Sequence, residues 1–142
     1  MNVEAILRAK GNAVATIPSG TTVAAAVREL KARGIGALVV SDDGRTPAGI
    51  LSERDIVHAV AEHGAAVLTM TADRLMTRRV VTCRPEDTVS ELMARMTERR
   101  FRHLPVVKDG VLCGIISIGD LVKSRIEEVE FEADSLRHFI AG

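Results

Sequence analysis

Aromatic residues are nearly missing from this sequence: of 142 residues three are Phe and none is Tyr or Trp. That removes the stacking platforms on which most single-strand nucleic-acid binders lay their bases. Net charge is missing too, with 19 basic residues against 19 acidic. A dedicated nucleic-acid binder gains its affinity by neutralising phosphates, so one is not expected here. There are two cysteines, Cys83 and Cys113, and they do not form a C-x-x-C pair. They are too few for a disulfide framework. Both lie in apolar, strand-like runs and read as reduced core thiols of a cytoplasmic protein. The alternative, a redox-sensing pair, is weakened because buried thiols are usually inert. No apolar run approaches the length of a membrane span. Met1-Asn2-Val3-Glu4 has neither the charge nor the apolar core of a signal peptide.

What remains is aliphatic. Hydrophobic residues make up 46% of the chain and charged residues 27%, an ordinary balance for a globular protein. The length suits one domain or two very small ones. The charge is unevenly spread. Arg74 to Lys108 carries nine basic and four acidic residues, whereas Asp120 to Arg137 carries three basic and six acidic. The middle is therefore suited to a small anion, and the tail reads as a charged, solvated helix.

The main feature is a repeat. At an offset of 66, Thr16 meets Thr82, Thr22-Val23 meets Thr88-Val89, Leu38 meets Leu104, and Asp43-Gly44 meets Asp109-Gly110. One residue is then dropped. At an offset of 65, Gly49-Ile50 meets Gly114-Ile115, Ser52 meets Ser117 and Asp55 meets Asp120. Each copy reads as β-α-β-β-α. A short extended piece (14–16 or 80–82) precedes a helix (22–33 or 88–100) with Thr22 or Thr88 as N-cap. Gly34 suits the position just past the first helix. Apolar strands (37–40 or 104–107, then 49–52 or 114–117) flank Asp-Gly turn signals. A last helix starts near Arg54 or Gly119. Residues 2–10 read as a lead-in helix stopped at Gly11, 63–71 as a linker, and 71–76 as the matching segment before the second copy. Residues 1–65 thus form repeat 1 with its lead-in helix, 66–125 repeat 2, and 126–142 a C-terminal helical extension.

The fold class that follows is α/β (α+β). A unit of about 60 residues buries only a marginal share of its surface alone. Two units packed sheet against sheet by a pseudo-twofold axis would share one core and leave two related clefts at the junction. Ligand sites favour such junctions.

Gly49-Ile50-Leu51-Ser52-Glu53-Arg54-Asp55 and Gly114-Ile115-Ile116-Ser117-Ile118-Gly119-Asp120 resemble the terminal G-h-h-[ST]-x-x-D signature of CBS domains. Arg102-His103-Leu104-Pro105-Val106-Val107 resembles the strand that precedes it, as does the degenerate Gly36-Ala37-Leu38-Val39-Val40. The resemblance runs from about Val14 to Val122 and is to stand-alone tandem pairs. It implies a regulatory module without catalytic activity, often a homodimer, that signals to a protein effector. It implies an adenosine-containing ligand: AMP first, then ADP or ATP, with NAD(H) or S-adenosylmethionine as further choices and no metal required. It further implies that each cleft joins one repeat's S-x-x-D to the other repeat's strands. Asp120 and Ser117 would then work with Thr16, Gly36, Ala37 and Leu38. Asp55 and Ser52 would work with Thr82, Arg102, His103, Leu104 and Pro105.

The residue types suit that ligand. A carboxylate accepts from both hydroxyls of a ribose. A serine at a strand-to-helix junction lies beside the free N–H groups of the first turn, where phosphate binds. Ser-x-x-Asp before an apolar helix is equally a capping pattern, and one residue can do both. The Asp55 cleft has Arg54, Arg102 and His103 at hand and suits a phosphate-bearing ligand. The Asp120 cleft is less charged and suits an adenosine moiety.

Three other readings are carried. The cluster Arg99–Arg102 admits a nucleic-acid binder with steep salt dependence. A structural homodimer with degenerate clefts is the second. An enzyme is the third, and no catalytic residue or nucleophile elbow supports it. His58, His63 and His138 lack partners at metal-ligand spacing. In the last helix Val122, Ile126, Val129, Ala133, Leu136 and Ile140 form a heptad-like seam, read either as homodimer contacts or as packing onto its own domain.

Overall fold

A computed structural model describes residues 1–141. The chain runs α1 (Val3–Lys10), β1 (Thr16–Ile17), α2 (Val23–Arg33), β2 (Ala37–Val40), β3 (Gly49–Ser52) and α3 (Glu53–His63). A 3-10 helix (Gly64–Thr69) and α4 (Ala72–Leu75) lead to α5 (Val89–Arg99), β4 (His103–Lys108), β5 (Val111–Ser117) and α6 (Ile118–Ala141). The predicted linker is thus mostly 3-10 helix. The caps form where the side chains allow: Thr22 accepts from the Ala25 N–H and Thr88 from the Glu91 N–H. Gly34 closes α2 at φ 63°, and Arg100 takes the same left-handed place after α5 at φ 58°.

In the first unit β1 runs parallel to β2, and β2 pairs antiparallel with β3, Leu38 opposite Leu51. The second unit has β4 antiparallel to β5, joined by Asp109-Gly110, both at positive φ as a two-residue hairpin turn requires. Its first strand is reduced to one parallel bridge, Cys83 with Val106. Burial pushes the Cys83 thiol up to about 12, so it stays un-ionised.

The single shared core expected from the repeat is two cores. Ile17, Val23, Leu30, Leu38, Leu51 and Ile56 centre the first, and Val89, Leu92, Met96, Leu104, Ile116 and Leu121 the second. What ties the units together is exchange of their lead-in segments. α1, placed by the sequence with repeat 1, sends Val3, Ile6 and Leu7 into the second core. Val67, Ala72 and Met76, placed by the sequence with repeat 2, sit in the first. Backbone bonds follow the same exchange. Val3 N–H donates to Asp87 C=O and Val89 N–H to Met1 C=O, while Val23 N–H donates to Met70 C=O and Ala72 N–H to Thr21 C=O. Each unit completes its apolar burial with a helix from the other half of the chain, and that fixes the clefts between them.

Candidate functional site

The first cleft lies where the β3–α3 junction faces the start of β4. It has a cavity volume of about 470 Å³ and is lined by Ser52, Arg54 and Asp55 from one unit and Arg102 and His103 from the other. Ser52 N-caps α3, its Oγ accepting from the Asp55 N–H at 3.3 Å. Asp55 Oδ2 accepts from the Ser52 N–H at 2.9 Å and the Ser52 hydroxyl at 3.0 Å, completing a capping box. The other oxygen, Oδ1, accepts a 3.3 Å bond from the Thr77 hydroxyl. Capping therefore occupies one face of the carboxylate and leaves Oδ1 turned toward the hollow.

Arginine dominates the wall. Arg54, Arg79, Arg99, Arg100 and Arg102 stand against Glu53 and Asp55, an excess of three positive charges. A concave site with one sign of charge concentrates the opposite ion. Burial pushes the His103 imidazole below its ordinary range, with Glu53 opposing and Lys10 adding to the shift. His103 is consequently neutral near pH 7, able to give one bond and take one.

The second cleft, about 450 Å³, is lined by Ala15, Gly36, Ala37, Ser117 and Asp120, with Lys10 at one side. Asp120 repeats the Asp55 geometry: Oδ2 accepts from the Ser117 N–H at 2.9 Å, and Ser117 Oγ accepts from the Asp120 N–H at 3.1 Å. Here the carboxylate is already paired. Lys10 Nζ, brought across by the exchanged α1, lies 2.7 Å from Asp120 Oδ2 and donates to Ile115 C=O at 3.0 Å. His103 and Gly36 line both clefts, so the two hollows share a wall.

Nine of the predicted residues, Ser52, Arg54, Asp55, Arg102, His103, Gly36, Ala37, Ser117 and Asp120, line these hollows. Five do not. Leu38 and Leu104 are fully buried core residues, Pro105 is buried in β4, Thr16 pairs with Val39 in β1, and Thr82 lies beside the Cys83 bridge. Thr77, Arg79 and Lys10 line the clefts without having been expected there. Lys10 ends the exchanged helix α1, and Thr77 and Arg79 follow the other exchanged segment, and that position was their only trace in the sequence. Among the described residues no group of three or more His, Cys, Asp or Glu is placed to hold a metal ion, and no helix is long and apolar enough to cross a membrane.

The Lys10–Asp120 pair gives a pH signature. Burial alone would raise the Asp120 pKa, but the bonds from Lys10 and the Ser117 N–H outweigh it and hold the carboxyl below its usual range. A folded pKa below the unfolded value adds stability that is complete above about pH 5 and is lost as pH falls through the folded value. Lys10→Met removes the opposing charge and leaves the burial. The stability deficit of Lys10→Met should be largest above about pH 5 and shrink in more acidic solution. Urea titrations across the acid range measure it, and a deficit independent of pH would refute this account.

Two tandem matches to the CBS domain, at residues 10–62 and 72–127, cover most of the chain. The protein belongs to the CBS-domain family, as a pair of repeats. A CBS-domain-containing protein of Agrobacterium tumefaciens shares 46% identity and superposes with a TM-score of 0.85 over 88% of this chain and 99% of that one. The mitochondrial CBS domain-containing protein CBSX3 of Arabidopsis thaliana is 35% identical over 85% of this chain. The chain spans 61% of that relative's length, and 21% of the Arabidopsis protein CBSCBSPB3. A CBS domain pair crystallised with 5′-methylthioadenosine and S-adenosyl-L-methionine shares 25% identity, with a TM-score of 0.77 over 87% of this chain and 98% of its own.

Proposed function

We propose that this protein is a non-catalytic regulatory module that binds an adenine nucleotide in the Asp55 cleft, AMP first and then ADP or ATP. The observation that carries this is the five arginines around the N-terminal turn of α3. Asp55 Oδ1 takes ribose hydroxyls, while the helix start and the arginines hold phosphate. Val80, Val81 and Ile50 supply apolar walls for the purine. The Asp120 cleft, whose carboxylate is matched by Lys10, suits an adenosyl group without phosphate, such as that of S-adenosylmethionine. Ligand that favours one relative tilt of the two units shifts their equilibrium, and a protein effector reads the change. We further read the protein as a cytoplasmic homodimer, its thiols reduced and the seam of α6 uncovered.

Thermal unfolding with AMP, ADP, ATP, NAD, NADH and S-adenosylmethionine tests the reading, beside Asp55→Ala and Asp120→Ala. At a hundred times its dissociation constant a ligand adds about 2.7 kcal/mol, an upward shift of several degrees. A shift by AMP that Asp55→Ala abolishes and Asp120→Ala preserves supports the assignment. No shift with any adenosyl compound would mark the clefts as degenerate and the protein as an interaction module.

A further inference from the structure

α6 is the longest helix among the described residues, at 24 residues, and it holds its own domain by only one face. Leu121 and Ser124 are its buried residues. The seam residues lie roughly 130° round the helix from that face, taking 100° per residue. The seam is uncovered: exposure runs from 41% at Val122 through 52% at Ile126, 49% at Val129 and 58% at Leu136 to 76% at Ile140. Packing onto its own domain, one of the two readings of the seam, does not occur. A stripe this long, at heptad spacing and unpartnered, needs a second helix.

The charges beside the seam select that helix. Lys123, Glu130 and Arg137 flank one edge, Arg125 and Glu132 the other. We infer that two copies of this chain pair through α6 as a parallel, in-register two-stranded zipper over Val122–Ile140. In that arrangement a residue on one edge meets the partner residue five positions on at the opposite edge. Arg125 then meets the partner's Glu130, and Glu132 the partner's Arg137, so every charged flank pair is attractive. The antiparallel zipper that uses the whole seam is centred on Phe131. It sets Lys123 against Arg137, Glu130 against Glu130 and Glu132 against Glu132, all repulsive. Sliding it by one heptad relieves the charges but leaves only four of the six seam residues in contact. Ala133, at the middle of the seam, lets the two backbones come close. The span of the seam, about 27 Å at 1.5 Å per residue, is short for a free-standing zipper, so it acts beside contacts between the folded bodies.

This rests on the homodimer reading, and the experiment separates the two. Ala133→Cys is placed in a Cys113→Ser background, where the remaining thiol is buried. Wild type should sediment as a dimer, and the Ala133→Cys variant should crosslink to itself on mild oxidation. Arg125→Glu with Arg137→Glu should weaken the dimer about tenfold or more. Arg125→Glu combined with Glu130→Arg should restore it. A monomer at high micromolar concentration overturns both the zipper and the homodimer. A dimer that fails to crosslink, or that Glu130→Arg fails to restore, overturns the zipper and leaves a dimer built on another face.

Discussion

Gly114→Val should unfold far below the wild type, a loss of about 3 kcal/mol or more, which overpacking against a filled position produces. Gly114 lies in β5 directly under the exchanged helix α1. A Cβ built there would stand 2.7 Å from Leu7 Cδ2 and 2.8 Å from Cδ1. Its counterpart Gly49 in β3 lies under the other exchanged segment, and a Cβ there would meet Met76 Sδ at 2.5 Å and Cγ at 2.8 Å. Neither glycine takes a positive φ, so neither is needed for backbone freedom. Both positions are tight, because each repeat's strand is roofed by a segment from the other half, and an added side chain must displace Leu7 or Met76. Leu7→Ala alone should cost about 2–5 kcal/mol as a core truncation, and Gly114→Ala about 1–3 kcal/mol. The double variant should lose clearly less than the sum, because the alanine at position 7 makes the room that the added methyl takes. Chemical denaturation of the four proteins measures the coupling. Additivity within about 0.5 kcal/mol would mean that α1 moves aside freely and does not lock the units.

That exchange was the least legible part of the sequence. Helix period and cap residues identify α1 at Val3–Lys10, with Asn2 capping the Ala5 N–H, but periodicity cannot say which copy receives an apolar face. The two glycines were visible as aligned positions at offset 65, yet nothing local explained them until Leu7 and Met76 were found above. Elements set by local chemistry read well. Thr22 and Thr88 cap, Gly34 closes α2, Asp109-Gly110 turns, and β2, β3 and β4 begin and end near the expected residues, while β5 starts three residues early, directly at the turn. The dropped residue falls between the two Asp-Gly turns and the following glycines. There the first unit has a longer loop, in which Asp43 accepts from the Arg45 and Thr46 N–H groups. The site residues of S-x-x-D were legible because one side chain serves as cap and as cleft wall. Lys10 and Thr77 were not, because each reaches its aspartate only through the exchange.

Arg102→Ala should weaken AMP binding by about tenfold or more and leave adenosine nearly unchanged. Hydrogen bonds to a charged group are worth about 1.5–3 kcal/mol, and AMP differs from adenosine by a phosphate carrying nearly two negative charges near pH 7. Arg102 is held by its backbone, whose C=O accepts the first N–H of α6, from Ile118, at 2.8 Å, so truncating its side chain should leave the cleft in place. Arg100 offers a sharper contrast. It occupies at φ 58° the left-handed position that Gly34 fills in the first repeat, a conformation that costs a side-chain-bearing residue about 1–2 kcal/mol. Backbone strain of this kind clusters at ligand clamps. Arg100→Gly should therefore raise the stability of the unliganded protein by about 1 kcal/mol while lowering its affinity for AMP. Calorimetric titrations with AMP and adenosine, beside unfolding curves without ligand, read both effects. Equal losses for AMP and adenosine in Arg102→Ala would show that the arginines shape the cleft without meeting phosphate, and the preference for a nucleotide over a nucleoside would fall. Unchanged AMP affinity in Arg100→Gly, together with a gain in stability, would make Arg100 a badly chosen helix cap and confine the anion site to Arg54, Arg79, Arg99 and Arg102.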